Sequence, residues 1–411
     1  MDIVMHIDVN SAFLSWTAAY ENQIGLERDI REIPAVIGGN EENRHGIVLA
    51  KSIPAKKYGI NTGNSLFEAR QLCPNLLILP PNYRLYVKAS KALKDFLNTY
   101  TPFVEPFSID ECFIKFDDID RIKAVSLANE IRERIKNEFG YTVNIGVSTN
   151  KLLAKMAGDF SKPDKCHTCF PEEIKEKLWP LDVGDLFMVG RRTKAKLKNY
   201  EINTIGDLAT TDFTFLSHKF KSHGRLIYAY AHGIDTSKFK SAVPIKSVGN
   251  SSTLKYDVTD TETAHAIILS LVEMTAWRLR EANMNCRVVS VSIKDKNFSY
   301  ISRQKKLMYS TDCTTVIYKN ICKLFDIHWD KRPIRQLGVS VSDLEFAKYQ
   351  QLSLFKDRNE LNNEKLDQVI DKIREKYGET SVTRGIFANS ELSPLLGGYP
   401  DNEYQGMSSI L

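Results

Sequence analysis

The sequence predicts a multidomain protein of α/β and α+β type, and three observations carry that prediction. The chain has 411 residues, enough for two to four domains with substantial cores. Strand-like and helix-like patterns alternate from the start to about residue 180, which suggests one sheet with helices packed on it. At 183 the texture changes to short, glycine-punctuated helical stretches, and a further α+β pattern occupies about 246–345.

In chain order, residues 2–9, DIVMHIDV, read as a strand ending near Asp8, with Asn10 and Ser11 as N-cap candidates for the next helix. That helix, AFLSWTAAYENQ, places Phe13, Trp16, Thr17 and Tyr20 on one face. Residues 34–38 and 46–50 read as strands. Residues 83–100 form an amphipathic helix with Tyr86, Ala89, Leu93, Phe96, Leu97 and Tyr100 on its apolar side. FVEPFSIDECFIKF reads as a β-hairpin with two acids, Asp110 and Glu111, at or just past its turn. A helix over about 120–138, the strand VNIGVS and a helix from Lys151 to about Phe160 follow. The later unit reads as strands near 246–256, 286–294, 305–311 and 334–342, with helices at 261–283 and 312–326 and one more near 364–377.

Composition sets the class. Apolar residues make up 43% and charged residues 26% of the chain, the balance of an ordinary soluble globular protein. No run of about 18 apolar residues occurs, so no membrane span is expected. The start, MDIVMHIDVN, lacks the basic region of a signal peptide. Seven cysteines, an odd number and mostly far apart, argue for reduced thiols and a cytoplasmic location. Cys166 and Cys169 form a CHTC pair with no second ligand pair at zinc spacing, so two thiols in a loop are expected. The net charge is +5, but residues 183–345 hold 25 Lys and Arg against 16 Asp and Glu. That asymmetry is a cue for a polyanionic partner.

Adjacent acids on a surface turn are common, so Asp110 and Glu111 gain interest from their position. Two neighbouring carboxylates repel unless a cation lies between them. An oxygen-rich strand edge suits Mg²⁺. The other isolated acid at the end of an apolar strand is Asp8, and ends of neighbouring strands meet in an α/β layer. Asp8, Asp110 and Glu111 can therefore converge on a metal pair, about 3.5–4 Å apart in such sites. The sequence has no GxSxG, HExxH, Walker A or GxGxxG motif. Nucleotidyl transfer, nucleotide cyclisation and metal-dependent nucleic-acid cleavage remain as candidate chemistries.

An ordered set of motifs narrows this choice. HIDVNSAF, SIDECFIKF, GVSTNKLLAKMAGDFSKP, the basic glycine-punctuated segment, KSVGNSSTL, PIRQLGVSVSDL and QLSLF together resemble the Y-family lesion-bypass DNA polymerases, nearest to the bacterial DNA polymerase IV and UmuC-like branch. The resemblance implies a right-hand polymerase. A ferredoxin-like palm and small fingers would occupy 1–182, with the fingers at about 25–80. A helix-hairpin-helix thumb would occupy 183–235, a linker 236–245, an α+β little finger 246–345, and a tail with a clamp-binding motif 346–411. It implies a DNA-directed DNA polymerase of low fidelity that synthesises past damaged bases. Asp8, Asp110 and Glu111 match the catalytic metal-binding carboxylates, and Val9 matches a position that lends its backbone carbonyl. Two Mg²⁺ ions are the implied cofactors. Phe13 matches the aromatic gate that selects deoxynucleotides. Lys162 matches the lysine that contacts the triphosphate, and Lys56 stands where the family usually has a nucleotide-binding Arg. Ile53 stands where it usually has Tyr. Isoleucine cannot donate a hydrogen bond, and lysine lacks the bidentate fork of arginine, so weaker nucleotide binding is expected.

The resemblance also implies a monomer whose partners are primer-template DNA, dNTP and the β sliding clamp. Gly190, Arg191, Arg192 and Lys194 in the thumb would meet DNA backbone, as would Lys246, Ser247, Lys255 and Arg335 beyond it. Gln351, Leu352, Ser353, Leu354 and Phe355 resemble the pentapeptide that docks on bacterial sliding clamps, a short motif for a hydrophobic groove. The competing reading is a non-catalytic or complex-dependent relative that binds DNA or the clamp.

Overall fold

A computed structural model describes residues 1–25, 28–39, 46–240, 244–347, 358–388 and 392–395. The chain divides into two compact units, one mainly of Met1–Gly38 with Val48–Val243 and one mainly of Pro244–Ser409. The pentapeptide 351–355 lies outside the described residues.

The first unit is organised by a five-stranded sheet in the order β5-β6-β1-β7-β8. Strand β1 (Ile3–Val9) is buried along its whole length, as its nearly unbroken apolar run requires. It lies antiparallel to both β6 (Glu111–Phe116) and β7 (Val143–Ser148). Strand β5 (Val104–Pro106) forms a hairpin with β6, and β8 (Cys166–Thr168) runs parallel to β7. The CHTC pair is thus a strand and its end rather than a loop. Its geometry follows from pairing with Ile145–Val147, a non-local contact that the local pattern does not encode. All seven cysteines carry free thiols. Helices α5 (Arg121–Phe139) and α6 (Lys151–Asp159) pack against β7.

Helix α1 (Ala12–Gln23) differs from expectation at its start. Ser11 adopts a left-handed backbone (φ 48°) and makes no side-chain cap. The Asn10 amide instead donates to Thr142 Oγ1 (3.2 Å), and Ser15 Oγ donates to the Asn10 carbonyl (2.5 Å). Most of the helix is buried, but Tyr20 points to solvent. A second layer holds the small sheet β3-β2-β4, from β2 (Ala35–Gly38), β3 (Val48–Lys51) and β4 (Leu77–Leu79). The short helices α2 (Ile53–Lys57) and α3 (Leu66–Leu72) share its core. Helix α4 (Tyr83–Asn98) buries Tyr86, Leu93, Phe96 and Leu97. Helices α7 (Arg191–Lys198), α8 (Ile205–Thr210) and α9 (Phe213–Ala231, bent at Lys221) share an apolar core with Leu152, Leu153 and Met156 of α6.

The second unit is an antiparallel sheet in the order β11-β10-β12-β9. Its strands are β9 (Ser247–Val258), β10 (Met284–Asp295), β11 (Tyr300–Thr311) and β12 (Ile334–Phe346). Alternation sends Val289, Val291, Ile293, Leu337, Val339 and Val341 into a core with α10 (Thr261–Glu281) and α11 (Thr314–His328). Part of the expected tail is folded onto this unit. Helix α12 (Arg358–Tyr377) brings Asp371 to Arg280 of α10 (2.5 Å) and Arg374 to the buried Glu273 (3.0 Å).

Candidate active site

The β1–β6 register places Asp8 directly opposite Glu111. One residue on, the Val9 amide donates to the Asp110 carbonyl (3.1 Å). Asp8 and Glu111 on two adjacent strands, and Asp110 in the turn before β6, are thereby drawn to one end of the sheet. The turn between β5 and β6 is held by Ser108, whose hydroxyl donates to Asp110 Oδ1 (2.5 Å) and accepts from the Glu111 amide (3.0 Å). Ser90 of α4 fixes the same turn through the Ile109 carbonyl.

Each acid has its own partner. Lys162 Nζ donates to Asp8 and also pairs with Asp159 (2.8 Å). Lys155 Nζ donates to Glu111 Oε2 at 2.8 Å. His6 Nε2 lies 3.6 Å from that same oxygen, longer than a good hydrogen bond. Burial pushes the Asp8 carboxyl up, while the Lys162 ammonium pulls it the other way. Burial pushes Glu111 up too, but His6 and Lys155 outweigh it and hold the carboxyl down at about 2. Among the described residues, no group of three or more His, Cys, Asp or Glu side chains is gathered closely enough to hold a metal ion. The donor set at the strand ends is nevertheless carboxylate and carbonyl oxygen, which fits a hard divalent cation better than a soft one.

Phe13 stands on the first turn of α1. Its ring stacks on Tyr86 (4.4 Å between centroids, 8° between planes) and meets Tyr83 edge-on at 6.0 Å. The Thr17 and Tyr86 hydroxyls lie 3.1 Å apart behind it, so the ring is braced rather than loose.

The family model described as impB/mucB/samB matches residues 7–159, and its C-terminal domain matches 245–354. DNA polymerase IV of Clostridium acetobutylicum is 48% identical over 391 residues, covering 95% of this chain and 99% of its own. The chain belongs to the Y family of DNA polymerases. DNA polymerase IV 1 of Bacillus subtilis is 33% identical over 400 residues, covering 96% of this chain and 95% of its own. Among solved structures, a Y-family chimera of Dbh and Dpo4 covers 84% of this chain and 99% of its own with a TM-score of 0.72 at 20% identity. DinB from Sulfolobus solfataricus covers 83% and 98% with a TM-score of 0.57 at 20% identity. This Y-family chain is a DNA-directed DNA polymerase of low fidelity that acts in translesion synthesis, built on a palm-like sheet with helices and a C-terminal sheet domain.

Within this Y-family fold, Asp8, Val9, Asp110, Glu111 and Lys162 come together at one sheet end. Lys56 does not share that sheet. It is exposed on α2 in the second layer, beside the exposed Ile53. Gly190 begins α7, and Arg191 and Arg192 are exposed there, whereas Lys194 pairs with Asp182 (2.9 Å). Lys246, Ser247 and Lys255 are exposed in the second unit, and Arg335 lies over the Phe298 ring (4.9 Å). Lys155 and His6 escaped the sequence reading. The signal available was a lone cation in LLAKMAG and a lone imidazole in IVMHIDV, each a polar residue in an apolar run that needs a partner.

Proposed function

We propose that this polymerase joins a dNTP to a primer 3′-hydroxyl at the strand end carrying Asp8, Asp110 and Glu111. The observation that carries this assignment is the pairing of Asp8 with Glu111 across β1 and β6, with Asp110 tied to Val9 beside them. Y-family polymerases depend on a divalent metal. Two Mg²⁺ ions held by the three carboxylates and the Val9 carbonyl would activate the attacking hydroxyl and neutralise the triphosphate. Lys162 offers its ammonium to the incoming triphosphate, exchanging Asp8 for a phosphate oxygen. Phe13, braced by Tyr86, presents a rigid apolar edge to the sugar and excludes a ribose 2′-hydroxyl.

Primer-template DNA lies against two surfaces in this reading. One is the start of α7, where Gly190 lets a phosphate approach the backbone and Arg191 and Arg192 supply charge. The other is the face of the second sheet opposite its helices. Its cross-strand rows are Ser251, Gly338 and Ser292, then Gly249, Ser340 and Ser290. A Cβ on Gly338 would stand 2.5 Å from Ser292 Oγ and 2.9 Å from Ser251 Cβ, so the rows are packed closely. Such a low, hydroxyl-rich surface follows a backbone without reading sequence. Lys246, Ser247, Lys255 and Arg335 add donors and charge around it.

Primer extension with Mg²⁺ and dNTPs, wild type beside Asp110→Ala, tests the site. Template-directed extension by the wild type and a loss of about a thousandfold or more in the variant are expected for a group that stabilises the transition state. An Asp110→Ala variant that extends at the wild-type rate would overturn the assignment.

A further inference from the structure

Glu111 is gripped from one side only. Among the described residues, Lys155 Nζ (2.8 Å) and His6 Nε2 (3.6 Å) both approach Oε2. The one close hydrogen bond, from Lys155, thus falls on Oε2 and not on Oε1. Lys155 has little freedom to do anything else. It sits mid-way along α6, between Leu152, Leu153, Met156 and Ala157 of the apolar core. Its side chain is only 13% exposed. Its ammonium lies 4.9 Å from the Phe107 ring and 5.8 Å from the Phe187 ring, a slot that favours a cation. The two walls come from different places. Phe107 leads into the turn that carries Asp110, and Phe187 precedes α7. Phe187 is itself fixed, because its amide donates to Met156 Sδ (3.4 Å) and its ring stacks on Tyr230 of α9 (6.2 Å, 17°).

We propose that Lys155 is a positioning residue for nucleotidyl transfer. It holds Glu111 by Oε2 so that the carboxylate offers a cation Oε1 alone, in one orientation. The slot between Phe107 and Phe187 makes that orientation depend on the seating of the helices α7 to α9 against α6. This rests on the reading of Glu111 as a metal ligand given above. Two mundane roles predict different results. A lysine that merely neutralises buried charge would change stability alone, and a lysine that touches the nucleotide would change KM.

The experiment compares wild type, Lys155→Met and Lys155→Arg. It measures single-nucleotide insertion, and it measures Mn²⁺ binding to the free protein by electron paramagnetic resonance without DNA or nucleotide. Lys155→Met is expected to lose about tenfold to a hundredfold in kcat, the scale of a sub-ångström to ångström misplacement. Its KM for dNTP should stay within about twofold. Its Mn²⁺ affinity should be unchanged or higher, since a neighbouring positive charge has been removed. Lys155→Arg, which keeps charge and donors, should recover most of the rate. A wild-type kcat in Lys155→Met would overturn the role, as would Mn²⁺ binding that weakens in step with kcat, or a raised KM at full kcat. Extension by the wild type separates the two claims. An inactive wild type sinks the polymerase reading together with this one, whereas an active wild type with an equally active Lys155→Met sinks only the role of Lys155.

Discussion

At Ile53 the side chain is exposed, on the first turn of α2. Nothing in the packing demands isoleucine there, since an exposed aliphatic side chain gains little from burial. Two of this layer's cations lie near it in sequence. Lys56 is exposed on α2, and Lys51, at the end of β3, is half-buried. Burial pulls the Lys51 ammonium down, and the charge on Lys56 pulls it down further. Lysines can attract a triphosphate without fixing its orientation. A tyrosine at 53 would restore one hydroxyl donor to a charged acceptor, worth about 1.5 kcal/mol, or roughly tenfold in binding. Ile53→Tyr is therefore expected to lower KM for dNTP several-fold with kcat unchanged, read from single-nucleotide insertion kinetics. An unchanged KM would mean that this position does not face the nucleotide.

Elements with a strong local signal were legible. Strand β1 is a nearly unbroken apolar run, and α4 and α5 are long helices with clear boundaries, Asn82 and Asp120 capping their starts. The helix α2, five residues long, and the three-residue strands β4 and β8 were not, because elements that short complete no period and take their form from neighbours. The same divide runs through the site. Asp8, Asp110 and Glu111 could be seen as acids at strand ends, but Glu111 lies 44 residues from Lys155, and only the fold brings them together. Helix α12 was expected near its observed place, yet its docking was hidden, since polar side chains make it. Glu273 of α10 is buried and takes Arg374 (3.0 Å) and Arg384 as partners, while Asp367 accepts from the Thr314 amide (2.8 Å). Removing one partner of a buried charge costs far more than losing an exposed pair. Arg374→Met should destabilise the second unit by about 3 kcal/mol, seen as an earlier transition in a urea melt of the whole chain. An unmoved transition would show that α12 rests on the unit without supporting it.

At the scale of the whole molecule, the proposed hold on DNA is made of lysines, arginines, serines and glycines, residues suited to a phosphate backbone. Binding of that kind depends on counterion release and weakens steeply with salt. A polymerase with such a hold dissociates readily unless something else keeps it at the primer end. Tethering to a partner already on the DNA raises the local concentration without adding a DNA contact. The proposed docking peptide, Gln351 to Phe355, falls between β12 and α12 in sequence. Its leucines and phenylalanine suit a hydrophobic groove on a sliding clamp. Deleting 351–355 is therefore expected to leave unassisted synthesis and its salt dependence as in the wild type, and to abolish the gain from added clamp. Primer extension across a salt series, with and without the β clamp, reads both effects at once. If the deletion variant is still stimulated by the clamp, the docking element lies elsewhere in the chain. If unassisted synthesis of the wild type is flat in salt, the backbone hold proposed for α7 and the second sheet is wrong.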